Sequence, residues 1–271
     1  MNWMRIPLFH VNAFTNRAFH GNPAAVCPLQ DWLDDTLLQK VAAENNLSES
    51  AFFVPKASQS GRNYDLRWFT PRCEVSLCGH ATLASAYVLL DVLQPGLSSV
   101  RFETRRSGPL TVTKDGTMFV MDFPAMLGKG RPAAPEALLH GLGGGPQPAT
   151  LLEANDTFIA VYENQAAIQR IRPDFVALEE LHPFAVSVTA PGDEADFVSR
   201  YFAPSYGIPE DPVTGSVHCA LTPYWAERLG KKQLYARQIS GRGGELWCEL
   251  AKDRVLIKGN AILTLQGSLQ I

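Results

Sequence analysis

The chain states one pattern twice, so a fold that satisfies it needs two like halves. Phe69-Thr70-Pro71 precedes Glu74 and the pair Gly79-His80, and Phe202-Ala203-Pro204 precedes Glu210 and the pair Gly215-Ser216. In both copies the glutamate stands five residues ahead of the glycine, and the second copy is three residues longer between its phenylalanine and its glycine. Each copy then opens an uncharged, apolar stretch, HATLASAYVLL in one and SVHCALTPYW in the other. Several matched features in two windows of about 25 residues are the mark of an internal duplication. A helix that is apolar nearly all round belongs in a domain interior, so both stretches are expected as interior helices. Pro223 lies inside the second, where it costs a backbone hydrogen bond and predicts a kink.

The remaining segments fit around these helices. IPLFHVNAF and AAVCPL read as strands on either side of Gly21-Asn22-Pro23. Leu37, Leu38, Val41 and Ala42 recur at helical spacing, and Asn45-Asn46 favours a stop, so a helix is expected from Asp35 to Asn46. Ser48-Glu49 then falls between that helix and the strand-like run Ala51 to Val54. Tyr64 to Phe69 alternates as a strand does, and Val100 to Phe123 holds several short strand-like runs with a hairpin cue at Asp115-Gly116. Gly128 to Pro148 is rich in Gly, Pro and Ala, with one short helical stretch at APEALLHGL. The boundary is therefore expected near Leu127, giving domains 1–127 and 128–271, with a return of the last strand to the first domain left open.

Composition narrows the function. With 271 residues, 46% of them hydrophobic, two domains can each bury a core. The net charge is −3, from Lys+Arg 24 and Asp+Glu 27, and no long basic run occurs, which argues against nucleic acid or an anionic membrane as partner. A small molecule is the expected partner. No run of about 18 apolar residues appears, and MNWMRIPLFHVNAF turns polar too early for a secretory signal. Five cysteines without a Cys-x-x-Cys suit a reducing cytoplasm better than a disulfide framework. His10, His20, His140, His182 and His218 show no zinc-binding spacing, so no metal is expected. Gly141-Leu-Gly-Gly-Gly145 is followed by no lysine and reads as linker rather than nucleotide loop.

Two helices that begin at glycine offer unpaired N–H groups and a positive dipole end, a means of holding an anion without a metal. The plainer reading is that Gly79 and Gly215 only allow tight entry into a core helix. Taken alone, Glu49 reads more readily as a helix-end or surface carboxylate and His80 as a cap or satisfied core group, though a neutral imidazole there can also donate to an oxygen or relay a proton, and Asp211 before Pro212 reads equally as a turn carboxylate.

A resemblance sharpens these alternatives. Asn46-Leu47-Ser48-Glu49-Ser50-Ala51-Phe52, Arg67-Trp68-Phe69-Thr70-Pro71, Leu77-Cys78-Gly79-His80-Ala81-Thr82-Leu83-Ala84 and Pro209-Glu210-Asp211-Pro212-Val213-Thr214-Gly215-Ser216 resemble the PhzF-like phenazine-biosynthesis isomerases. Phe14-Thr15-Asn16 and Gly21-Asn22-Pro23-Ala24-Ala25-Val26 add to the likeness in family order. The resemblance implies an α+β, diaminopimelate epimerase-like fold: two pseudo-symmetric domains, each a barrel-like sheet wrapped round a central helix, with the active site between them.

It also implies a cofactor-independent isomerase that moves a proton on a small carboxylate substrate. Glu49 would be the base, His80 and Asp211 would assist, and Ser48, Gly79, Gly215 and Ser216 would bind the substrate. Homodimers are common in the family. In the wider superfamily, racemases and epimerases use two cysteines, one ahead of each helix-opening glycine; here Cys78 holds the first place and Thr214 the second. A threonine hydroxyl is too weak an acid to replace a thiolate, so two-thiol racemisation is not expected. An amino- or hydroxy-acid epimerase and a non-catalytic binding protein are the alternatives.

Overall fold

The computed structural model describes residues 4–56 and 62–271, so the first three residues of the opening stretch lie outside the described residues. The chain divides into two compact units, residues up to Asp122 with Lys258–Ile271, and Phe123–Ile257. The first unit contains β1 (Arg5–Ala13), β2 (Asn22–Pro28), α1 (Asp35–Asn45), β3 (Glu49–Pro55), β4 (Asn63–Phe69), β5 (Glu74–Val75) and α2 (Gly79–Tyr87). β6 (Ser99–Thr104), β7 (Leu110–Asp115) and β8 (Met118–Pro124) follow. The second contains β9 (Lys129–Gly130), α3 (Glu136–Gly141), β10 (Thr150–Ala154), β11 (Thr157–Val161), α4 (Gln165–Arg170), α5 (Phe175–Glu179) and β12 (Ala185–Pro191). After these come β13 (Phe197–Ala203), β14 (Ile208–Asp211), α6 (Gly215–Leu229), β15 (Gln233–Gln238) and β16 (Gly244–Ala251). β17 (Arg254–Gly259) leads back to β18 (Ala261–Gln270) of the first unit.

The duplication is visible in the pairing rules. In the first unit β1 pairs antiparallel with β2, β2 parallel with β3, β3 antiparallel with β4, β4 parallel with β6 and β6 antiparallel with β7. In the second the same alternation runs β10, β11, β12, β13, β15, β16. Each parallel pair requires a crossover, and the helices supply it: α1 and α2 in one unit, α4 with α5 and then α6 in the other. The boundary lies at Asp122/Phe123 where composition suggests Leu127, because the Gly- and Pro-rich stretch begins after the chain has already entered the second unit. β18 lies in the first unit, paired antiparallel along β1.

Local chemistry explains the elements. α1 is capped by the Asp34 side chain at the Thr36 N–H (2.9 Å) and ends at Asn46 in a left-handed conformation, φ 48°. Leu38, Val41 and Ala42 of its stripe are buried, and Leu37 is half-buried. Gly21 at φ +69° separates β1 from β2, and a Cβ there would lie 2.2 Å from the Ala13 carbonyl oxygen, so only glycine fits. Asp115 pairs with Met118, leaving Gly116-Thr117 as a two-residue loop with Gly116 at φ +63°.

Both expected interior helices are enclosed. Gly79 through Ala86 of α2 are buried, and the helix continues as π-helical turns over Val88–Leu93. Its buried hydroxyls bond backwards along the helix, Thr82 Oγ1 to the Cys78 carbonyl (2.6 Å) and Ser85 Oγ to the Ala81 carbonyl (2.7 Å). In α6, Trp225 stacks on Phe197 at 5.8 Å, and its Nε1 donates to Thr189 Oγ1 at 3.0 Å. Pro223 cannot bond back to the Cys219 carbonyl, and the Met126 N–H takes that place at 2.9 Å. The helix therefore runs through its proline without an orphaned carbonyl.

The matched glutamates have matched partners. Arg67 Nε and Nη2 bond the two oxygens of Glu74 at 2.7 and 2.8 Å, and Arg200 Nε and Nη2 bond those of Glu210 at 2.8 and 3.0 Å. Each guanidinium also lies 4.9 Å from a ring centroid, Phe69 in one unit and Phe202 in the other. The Arg67 hydrogen bond holds the Glu74 carboxyl below its ordinary range. Arg67 also bonds Asp35 at 2.8 Å, but Asp35 is 64% exposed against 21% for Glu74 and 3% for Arg67. Glu74→Ala is therefore expected to cost about 3 kcal/mol in urea denaturation, the penalty for a buried cation losing its fork. Asp35→Ala is expected to lower the urea midpoint much less.

Candidate active site

Glu49 meets Cys78 and His80, some thirty residues further along the chain, in the first unit. Glu49 is the first residue of β3, in register with Ala24 of β2. The neighbouring Asn45 side chain ties down Ser50 Oγ at 3.0 Å. His80 is the second residue of α2, and Cys78 precedes that helix in an extended conformation. His80 Nε2 stands 3.2 Å from Glu49 Oε2, and Cys78 Sγ stands 3.4 Å from His80 Nδ1. All three residues are buried, at 8% exposure for Glu49, 5% for His80 and 6% for Cys78.

The protonation of His80 follows from its surroundings. Burial pushes its pKa from 6.5 down to about 3, so the ring is neutral near pH 7 and the contact with Glu49 is no ion pair. Asn22 Nδ2 lies 3.2 Å from Nδ1. With that amide orientation assigned, Nδ1 is the acceptor and the ring proton belongs on Nε2, which lies 3.2 Å from Glu49 Oε2 but outside hydrogen-bonding geometry. A neutral imidazole thus borders the carboxylate without supplying a counter-charge.

Glu49, Cys78 and His80 are also of metal-binding types, their candidate atoms within 4.8 Å of one another among the described residues. Spacing of cysteines and histidines along the sequence does not reveal this group, because Glu49 arrives from another strand. The thiol approaches Nδ1 and the carboxylate Nε2, whereas a tetrahedral ion takes one ring nitrogen and gathers its other ligands round that atom. The arrangement suits proton handling better than metal capture.

The second unit holds its own polar cluster. Asp211 ends β14 and is 8% exposed; Thr214 precedes α6 and donates its hydroxyl to Asp211 Oδ2. Gln238, fully buried at the end of β15, accepts from the Thr214 N–H at 2.9 Å and donates to the Asp211 carbonyl at 2.8 Å. Gly215 is buried and Ser216 exposed, while in the first unit Gly79 is buried and Ser48 half-buried. Neither residue ahead of the helices, Cys78 nor Thr214, caps the first-turn N–H groups with its side chain. Sequence reasoning passes over Asn22, which reads as turn punctuation, and Gln238, which lies outside the strongest motifs. Asn22 lies in the family-like run Gly21 to Val26 and Gln238 in a looser match near the end, but neither likeness says what the side chain touches.

Residues 11–267 match the family described as phenazine biosynthesis-like protein. An uncharacterised isomerase of Pseudomonas aeruginosa is 47% identical over 271 residues, covering 99% of this chain and 100% of that one. The crystal structure of a PhzF family phenazine biosynthesis protein from Enterococcus faecalis superposes with a TM-score of 0.92 at 42% identity, covering 99% of this chain and 100% of that one. A hydroxyproline epimerase from Agrobacterium vitis, TM-score 0.65 with 98% and 93% covered, shares the fold at 11% identity.

Buried neutral histidines set an acid limit on stability. His80 and His218 have folded pKa values of about 3 and about 4, both below the ordinary 6.5, and burial is the leading cause for each. The unfolded chain thus binds more protons below pH 6.5, and stability present above that pH is lost as pH falls toward 4. The Tm is expected to be lower at pH 5 than at pH 7.5, and His218→Gln is expected to make the dependence shallower.

Proposed function

This chain belongs to the phenazine biosynthesis-like protein family and is an isomerase, and on that premise we propose that Glu49 is the base that moves a proton between carbons of a small carboxylic acid. The observation that carries the proposal is the enclosed Glu49 carboxylate with the neutral His80 Nε2 at 3.2 Å. A proton on carbon beside a carboxylate or enol is weakly acidic, so its removal needs a poorly solvated base and fixed donors for the developing charge. Glu49 takes the proton from one carbon, becomes a neutral acid and returns the proton to another. No oxidant or reductant is consumed. The uncapped first turn of α2, opening at Gly79, is a source of donors for the substrate's anionic oxygens.

Ser48, Asp211, Gly215 and Ser216 enter this reading through their motifs. A small carboxylate as substrate fits the helix N-terminus, and the hydroxyproline epimerase of the same fold has trans-4-hydroxy-L-proline bound. The competing reading is an amino- or hydroxy-acid epimerase, favoured by the Cys78 thiol beside His80. It would need a second proton carrier other than cysteine, since Thr214 stands at the matched place.

The test is deuterium incorporation from D2O, followed by NMR, with a panel of small dihydroaromatic, hydroxy and amino carboxylic acids. Wild-type protein is expected to exchange a carbon-bound hydrogen, and Glu49→Gln is expected to slow that exchange by about 100-fold or more. Exchange that persists in Glu49→Gln sinks the assignment. Cys78→Ser is expected to keep the rate within about threefold if Glu49 works alone, whereas a loss matching that of Glu49→Gln favours the epimerase.

A further inference from the structure

We infer that Gln238 is a positioning residue that orients the Asp211 carboxylate through the Thr214 hydroxyl. The inference rests on the proposed part of Asp211 in the isomerisation. The Gln238 side chain is wholly buried, and its carboxamide is used on both ends. Oε1 accepts from the Thr214 N–H at 2.9 Å; Nε2 donates to the Asp211 carbonyl at 2.8 Å and to Thr214 Oγ1 at 3.2 Å. Reversing the amide would set NH2 against the Thr214 N–H and oxygen against the Asp211 carbonyl, so only one orientation satisfies the group.

That orientation gives the network a direction. Thr214 Oγ1 receives a hydrogen from Gln238, which leaves its own hydrogen to point at Asp211 Oδ2. The donors run from Gln238 through Thr214 to Asp211, and the carboxylate ends the chain as an acceptor. The hydroxyl at the place matched to Cys78 is therefore committed to an acid and is not available as a proton carrier. In this copy the residue ahead of the helix glycine aims a carboxylate.

A merely structural role for Gln238 would be to tie the loop from Asp211 to Thr214 against β15. That tie exists already: Ser240 Oγ donates to the Pro212 carbonyl at 2.8 Å, and the Gly243 N–H donates to Ser240 Oγ at 3.1 Å. Gln238 shares in that tie through the Thr214 N–H and the Asp211 carbonyl, and beyond it supplies the donor to Thr214 Oγ1 and hence the direction of the hydroxyl. A fully buried carboxamide with every polar atom engaged holds its neighbours more tightly than a solvated one.

The experiment compares wild type with Thr214→Val, Thr214→Ser, Gln238→Leu, Asp211→Asn and the double variant Asp211→Asn/Thr214→Val, each first shown by its melting curve to be folded. Deuterium exchange into the carboxylic-acid panel is expected to fall at least tenfold in Thr214→Val and Gln238→Leu. Thr214→Ser, which restores a hydroxyl, is expected to recover most of the rate. The double variant is expected to match Asp211→Asn within about twofold, since Thr214 acts only through that carboxylate. Wild-type rates in folded Thr214→Val and Gln238→Leu overturn the inference while leaving the Glu49 assignment standing. Exchange that survives Glu49→Gln fails the Glu49 assignment instead.

A second readout needs no substrate. The side-chain amide hydrogens of Gln238, followed by 15N NMR, are expected to exchange slowly with solvent in the wild type and at least tenfold faster in Thr214→Val. Unchanged protection in that variant overturns the network, whatever the panel shows.

Discussion

A helix enclosed by its own domain can carry no side chain that depends on water, and this constraint governs both halves of the chain. The enclosed stretches of α2 and α6 are built largely from small and apolar residues, and Thr82, Ser85 and Trp225 bond back into the helix or onto a neighbouring strand. His218 is bonded at one nitrogen, with Nδ1 2.7 Å from the Thr214 carbonyl one turn earlier. Two arginines are held in forks, and the same atoms of Arg67 and Arg200 make the same bidentate contact in each unit. Broken forks would leave a cation with little access to solvent, so the glutamates five residues ahead of the helix glycines serve the frame.

Against that common frame the helix entrances have diverged. In the first unit the residues at the entrance are Cys78, Gly79 and His80; in the second they are Thr214, Gly215 and Ser216. A thiol and an imidazole beside a carboxylate make a group that can take and return protons. A hydroxyl bound to a carboxylate and to a carboxamide makes a rigid one. The asymmetry fits a reaction with one carboxylate base better than a reversible exchange between two equal thiols.

Much of this was legible in the sequence where the signal was local. The spacing of Leu38, Val41 and Ala42 marks α1, Asp115-Gly116 marks the hairpin, and the repeated glycine entrances mark α2 and α6. The motif Asn46 to Phe52 singles out Glu49, though motif likeness alone says nothing of what the carboxylate touches. Illegible were the contacts made across long stretches of chain. Asn22 reaches His80 over 58 positions and Gln238 reaches Thr214 over 24, and no periodicity connects either pair. The boundary falls a few residues before the composition break because composition changes only after the backbone has entered the second unit. From sequence Pro223 costs a backbone hydrogen bond, because the donor that replaces it, Met126, lies almost a hundred residues earlier.

The pairing of β1 with β18 has a consequence for how the protein is made. The second unit is one continuous stretch of chain, while the first is interrupted by it and takes its last strand from residues 261–270. On the ribosome, the unit that emerges later can therefore reach its native pairing earlier. Until β18 arrives, β1 is left with an open edge, a surface on which a nascent chain is prone to associate with its neighbours. Codon speed and chaperone occupancy over the second half of the message should then govern the yield of a domain whose coding began at the first.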